Sequence, residues 1–152
     1  MKTVKDILKT KGGAVIAVNP EAGVLEALEI MAERNIGAIL VLSSSGDIAG
    51  IFSERDFARR IILKGYSCEN SKVKEMMTTK IICAEPATTI ADCMSLMTDN
   101  HFRHLPVKES DKVVGVVSIG DVVKALIQEK EQTISEQAFE IGQKERLSTT
   151  AI

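Results

Sequence analysis

Tryptophan is missing from this 152-residue chain, and aromatic residues make up only 3% of it. The core must therefore be aliphatic, and a sheet surface for stacking single-stranded bases has few rings to draw on. Cysteine is scarce too. Cys68, Cys83 and Cys93 are odd in number and irregularly spaced, which argues against a disulfide framework and favours a reducing cytoplasm. Cys83 and Cys93 fall in apolar patterns and are expected to be buried thiols. No stretch approaches the roughly 18 apolar residues that a membrane span needs. Residues 1–13 lack the apolar run and small-residue ending of a signal peptide.

An excess of positive charge is also absent. Residues 1–70 carry nine basic and nine acidic side chains, and residues 71–152 carry ten and twelve, for a net charge of −2. Neither half suits a phosphate backbone, so no nucleic-acid partner is expected. No activated nucleophile, catalytic dyad or Walker-type loop stands out. The chain is therefore expected to have no active site of its own.

What the chain does have is an ordinary globular composition, 45% apolar and 26% charged, and an internal repeat. Repeats are sought first because missing one misreads the fold. Val4-Lys5-Asp6-Ile7-Leu8 matches Val73-Lys74-Glu75-Met76-Met77. Short β-branched runs follow, Ala14–Val18 and Ile81–Cys83, each ending near a proline, Pro20 and Pro86. Helical spacing comes next, in Val24, Leu25, Leu28 and Met31 and again in Ile90, Cys93, Met94 and Met97. Ala38–Leu42 then corresponds to His104–Val107, and Ile48–Ser53 to Val113–Ser118. The offset between copies drifts from 69 to 66 to 65. Segments of loop composition, 11–14 and 43–47, absorb the drift.

The expected fold is mixed α/β (α+β): two β-α-β-β-α repeats, each opened by a short helix. A three-stranded sheet with helices on one side leaves its other apolar face bare. Packing the two copies with pseudo-two-fold symmetry solves this and creates two equivalent clefts, which are natural ligand sites. The boundaries are 1–66 for the first repeat, 67–130 for the second and 131–152 for a tail. That tail is weakly periodic at Ile134, Ala138 and Ile141. It is expected to be either a helix docking on a second subunit or a frayed end.

The sharpest local signal is a repeated phrase. Gly50-Ile51-Phe52-Ser53-Glu54-Arg55-Asp56 recurs as Gly115-Val116-Val117-Ser118-Ile119-Gly120-Asp121, each at a strand-to-helix turn. Ser-x-x-Asp at a helix start reads plainly as a capping box. The same geometry offers free amide donors and a partial positive charge to an anion. An acid one turn in can accept from the hydroxyls of a ribose. The Gly three residues before each Ser is not required by capping; it lets another backbone or a ligand come close to the strand.

With these phrases, Arg103-His104-Leu105-Pro106-Val107 and the Val-Lys-Asp/Glu openings on the page, the sequence resembles a tandem pair of CBS domains, or Bateman module, over about residues 1–130. The resemblance implies a stand-alone regulatory module that binds AMP, ADP or ATP, or else NAD(H) or S-adenosylmethionine. It also implies a disc-like homodimer. Carried over, Asp56 and Asp121 hold a ribose, with Ser53 and Ser118 near ribose or phosphate. Backbone near Ala14 and Ile81 grips an adenine edge. Arg103 and His104, before one repeat's strand, reach phosphates held by the other repeat; Arg is well shaped for that.

The copies are not equal. The positions matching 101–104 are Asn35-Ile36-Gly37-Ala38, without a cation, and Pro106 corresponds to Leu40. One better phosphate site is expected, joining Ser53 and Asp56 to Arg103 and His104. The Ser118/Asp121 cleft binds weakly, takes an uncharged part of a longer ligand, or stays empty. Arg55 serves one of the clefts or is a solvated charge. His101 and His104 lack nearby carboxylate or thiol partners in metal-ligand spacing, so no metal is expected. Met76, Met77, Met94 and Met97 read as core filler.

Three functions follow in order: a nucleotide sensor that signals to a separate enzyme or transporter, a ligand-free dimerising scaffold, and, last, an enzyme.

Overall fold

The structure is a computed structural model that describes residues 1–150, with side chains described through residue 144. The first copy runs α1 (Val4–Lys11), β1 (Ala17–Val18), α2 (Val24–Arg34), β2 (Ala38–Leu42), β3 (Ile48–Ser53) and α3 (Glu54–Ala58), which continues into a π-helical turn, Arg59–Leu63. The second runs α4 (Val73–Met76), α5 (Ile90–Asn100), β4 (His104–Glu109), β5 (Lys112–Ser118) and α6 (Ile119–Thr150).

In the first sheet β1 lies parallel to β2, and β2 antiparallel to β3. The second sheet has only β4 and β5. The strand expected at Ile81–Cys83 is absent, reduced to a single parallel bridge between Ala84 and Val107. The cause is local. Ala84 N–H donates to Pro106 O at 2.8 Å, and Lys108 N–H to Ala84 O at 2.9 Å. The next rung toward Ile82 would need an N–H from residue 106, and proline has none. Leu40 holds the equivalent place in β2 and pairs with Ala17 of β1. There the strand survives, although shorter than the five residues of 14–18.

Two cores form, and their membership crosses the copies. Val18, Val24, Ala27, Met31, Ile39, Val41 and Phe52 of the first copy pack with Val73 and Met76 of α4. Ile90, Cys93, Met97, Leu105, Val107, Val117 and Val122 pack with Val4 and Ile7 of α1. Each copy thus lends its opening helix to the other. The backbone bonding repeats the exchange almost atom for atom. Val4 N–H donates to Thr88 O (2.9 Å) and Lys5 N–H to Pro86 O (3.0 Å), while Val73 N–H donates to Ala22 O (2.9 Å) and Lys74 N–H to Pro20 O (3.2 Å).

The two glycines of the repeated phrase sit at close approaches, and neither lines a cleft. A Cβ on Gly50 would lie 2.7 Å from Met77 Sδ and 2.8 Å from Thr78 O, on the segment that follows α4. A Cβ on Gly115 would meet Leu8 Cδ2 of α1 at 2.7 Å. Their smallness admits the exchanged segments.

Met76 and Met97 are fully buried, and Met77 and Met94 are packed against the cores, in keeping with filler. Cys93 is buried, but Cys83 is only half-buried. Beyond residue 130 the chain stays helical as part of α6, with Ile134, Phe139 and Ile141 exposed. Residues 151 and 152 of the tail lie outside the described residues.

Candidate functional site

Both Ser-x-x-Asp phrases form the expected corners. At the start of α3, Asp56 N–H donates to Ser53 Oγ at 3.1 Å, and Ser53 N–H donates back to Asp56 Oδ2 at 3.1 Å. At the start of α6, Asp121 N–H donates to Ser118 Oγ at 3.1 Å, and Ser118 N–H to Asp121 Oδ2 at 2.9 Å. The capping reading therefore holds at both corners. It does not consume the carboxylates, since each has further acceptor sites.

Around the first corner lies a cleft of about 450 Å³. That is within the roughly 300–1,000 Å³ typical of small-molecule sites. Ser53, Arg55 and Asp56 line it from the first copy, and Ile81, Arg103 and His104 from the second. The structure thus brings together six of the sequence-predicted residues, and places Arg55 in this cleft. The joint is made where β3 bridges the segment after α4: Ile51 N–H donates to Thr78 O at 3.0 Å, and Thr78 N–H donates back to Ile51 O at 2.8 Å.

A smaller cleft of about 260 Å³ surrounds the second corner, lined by Ala14, Ser118 and Asp121 among others. His104 lines both clefts, with its ring 3.9 Å from the place a Gly37 side chain would take. Its charge state differs from expectation. Burial, with Lys11 and then Arg103 nearby, lowers the imidazole below its ordinary value against the pull of Asp121. Near pH 7 His104 is a neutral hydrogen-bonding group, so Arg103 and not His104 is the cation at that position. His101 caps α5 in the left-handed conformation (φ 58°), matching Asn35 at the end of α2 (φ 53°).

Three residues escaped the sequence reading. Thr78 and Lys80 line the first cleft, and Thr78 Oγ1 donates to Asp56 Oδ1 at 3.0 Å. Lys11 lines the second, and its Nζ sits 2.7 Å from Asp121 Oδ2 and 3.0 Å from Val116 O. Burial pushes the Asp121 carboxyl up, but Lys11 and the Ser118 backbone outweigh it and hold it below the usual carboxylate range. Lys11 and Lys80 are 69 residues apart, the same offset as Val4 and Val73. That repetition was the available signal.

Chemically, the first cleft offers an acid on a helix corner for a diol, and a planar cation and an ammonium for an anion, with apolar walls from Ile51, Ile81 and Ile82. Among the described residues, no helix is long and apolar enough to cross a membrane.

A family model described as CBS domain matches residues 4–63 and again 73–128. The chain is 37% identical over 140 residues to the Arabidopsis thaliana protein named CBS domain-containing protein CBSX3, mitochondrial, covering 87% of this chain and 68% of that one. A crystal structure of the CBS domain protein NE2398 is 43% identical, with a TM-score of 0.77, covering 83% of this chain and 98% of that one. More distant structures share the fold. CBSX2 in complex with AMP is 24% identical, with a TM-score of 0.66, covering 86% and 99% of the two chains. The CBS domain pair of MJ0100 in complex with 5'-methylthioadenosine and S-adenosyl-L-methionine is 22% identical, with a TM-score of 0.74, covering 85% and 98%.

Proposed function

Because this chain belongs to the CBS domain family, we propose that it is a regulatory module whose first cleft takes an adenosine-containing nucleotide. The observation that carries this is the convergence, in one cleft, of Asp56 from the first copy with Arg103 and Lys80 from the second. A ribose on Asp56 and a phosphate on Arg103 and Lys80 are held by opposite halves of the molecule. AMP, ADP and ATP fit this division best; NAD(H) and S-adenosylmethionine share the adenosine but distribute charge differently. The adenosine common to the ligands of CBSX2 and MJ0100 supports the same class.

Bound ligand acts by population shift. It stabilises the relative orientation of the copies in which both sets of contacts are made, to the extent of its differential affinity for that state. A separate protein, an enzyme or transporter in the same reducing compartment, reads the orientation. Pairing of two copies belongs to this reading, and the exposed Ile62, Leu63, Ile119, Val123 and Ile127 give it apolar surface to bury.

A second reading, a ligand-free scaffold, has one observation in its favour. The capping hydrogen bonds and Thr78 already satisfy Asp56 internally. Calorimetric titration with AMP, ATP, NADH, S-adenosylmethionine and adenosine separates the two. Binding of an adenosyl ligand that is weakened by Asp56→Ala supports the sensor. Heatless titrations up to millimolar concentration, with no rise in melting temperature, leave the scaffold.

A further inference from the structure

The two clefts differ in what their acid already holds. Asp56 accepts from neutral donors only: Ser53 N–H at 3.1 Å, Ser53 Oγ at 2.9 Å and Thr78 Oγ1 at 3.0 Å. A ribose hydroxyl arriving there replaces one hydroxyl by another. Asp121 instead accepts from the Lys11 ammonium at 2.7 Å. Lys11 is also tied to Val116 O at 3.0 Å. Lys80, its counterpart in the repeat, lines the first cleft but makes no ion pair among the described residues.

From this contrast we infer that Lys11 is an internal plug, which closes the second cleft to ribose by occupying Asp121. The inference rests on the reading above that these clefts are built for adenosyl ligands. A ligand entering the second cleft must exchange an ammonium–carboxylate pair, in which both partners are charged, for a hydroxyl hydrogen bond in which only the carboxylate is, and strand an ammonium. The remaining space, about 260 Å³, also falls below the usual range for a nucleotide-sized ligand. Removing the amine restores both the acceptor and the room. The consequence is one ligand per chain, although the sequence carries two Ser-x-x-Asp corners.

The test uses adenosine, which has no phosphate for Lys11 to attract. In an Asp56→Ala background the first cleft is weakened, and calorimetry reads any gain at the second against it. Adding Lys11→Met, which keeps the aliphatic stem, is expected to tighten adenosine at least tenfold; adding Asp121→Ala should abolish the gain. In the otherwise native chain, Lys11→Met should raise the count from one adenosine to two. The plug is overturned if Lys11→Met leaves adenosine binding unchanged in both backgrounds. It is equally overturned if the native chain already binds two and Lys11→Met weakens AMP, which would make Lys11 a phosphate holder. A native chain that binds no adenosyl ligand defeats the sensor reading alone when the Asp56→Ala, Lys11→Met protein gains adenosine binding. If that protein gains none, it defeats both. Because Asp56→Ala weakens a helix cap, Asp56→Asn, which keeps an acceptor for the Ser53 amide, provides an independent background for the same comparison.

Discussion

Replacing Asp56 separates its two roles, because alanine and asparagine remove different things. The carboxylate accepts three hydrogen bonds, two from Ser53 and one from Thr78. Losing a cap of this kind costs about 1–2 kcal/mol. For a chain of this size about 1 kcal/mol moves the midpoint by roughly 2–4 °C, so Asp56→Ala should melt about 2–8 °C lower. Asparagine keeps one carbonyl oxygen for the Ser53 amide, and its NH₂ group can donate to Thr78 Oγ1, so Asp56→Asn should lose less than half of that. Ribose binding responds differently. An amide nitrogen cannot accept from a hydroxyl, and a hydrogen bond to a charged group is worth about 1.5–3 kcal/mol. Both variants should therefore weaken AMP by about 10–100-fold in calorimetry. Scanning melts taken alongside give the stability difference. Two variants that differ in stability yet bind AMP as tightly as the parent would reduce Asp56 to a cap and refute the ribose assignment.

Arg103→Ala should weaken AMP and ATP tenfold or more while leaving adenosine nearly unchanged, since the exposed guanidinium faces the cleft only as an anion partner; calorimetry with the three ligands checks this, and equal losses would remove Arg103 from the phosphate role. His104 carries a pH signature. Its folded-state pKa lies below its unfolded value near 6.5, so the stability it contributes is complete above that value and lost as pH falls through the lowered one. The melting temperature should decline between pH 7 and 5.5, and less steeply in His104→Gln, as read by calorimetric scans. Gly50→Ala should be clearly destabilising, by about 1–3 kcal/mol of overpacking, because the new methyl meets the Thr78 carbonyl as well as Met77. Gly115→Ala should cost less, because only the end of the Leu8 side chain stands in the way; urea unfolding of the pair measures the difference.

The repeat was legible because a duplicated order of elements leaves several short matches at nearly constant offset, and no single match has to be strong. The corners were legible because Ser-x-x-Asp has one obvious local geometry, which both corners adopt. Other features depended on contacts that periodicity does not encode. The spacing of Val4 and Ile7 marks a buried face on α1, but says nothing about which copy buries it. The loss of the strand at Ile81–Cys83 came from Pro106 across the sheet, visible as a difference from Leu40 but meaningful only once the register is known. His104 was read beside Arg103 as a phosphate contact from its place before the Leu-Pro-Val strand; that place does not reveal the burial and the nearby Lys11 and Arg103 that lower its pKa.

The exchange of opening helices explains why the clefts are both shared and unequal. Because α4 packs in the first core, the chain leaving it delivers Thr78 to Asp56 and Lys80 to the same cleft. Because α1 packs in the second core, the chain leaving it delivers Lys11 to Asp121. Every acid therefore meets a segment from the opposite copy, and a ligand seated on Asp56 touches the corner of one copy together with the post-α4 segment and the α5–β4 joint of the other. Such a ligand cannot tighten its own contacts without fixing how the copies lean on one another. On the proposed reading, a local binding event has a direct mechanical route to the outer surface, because the two walls of the cleft are the two copies themselves.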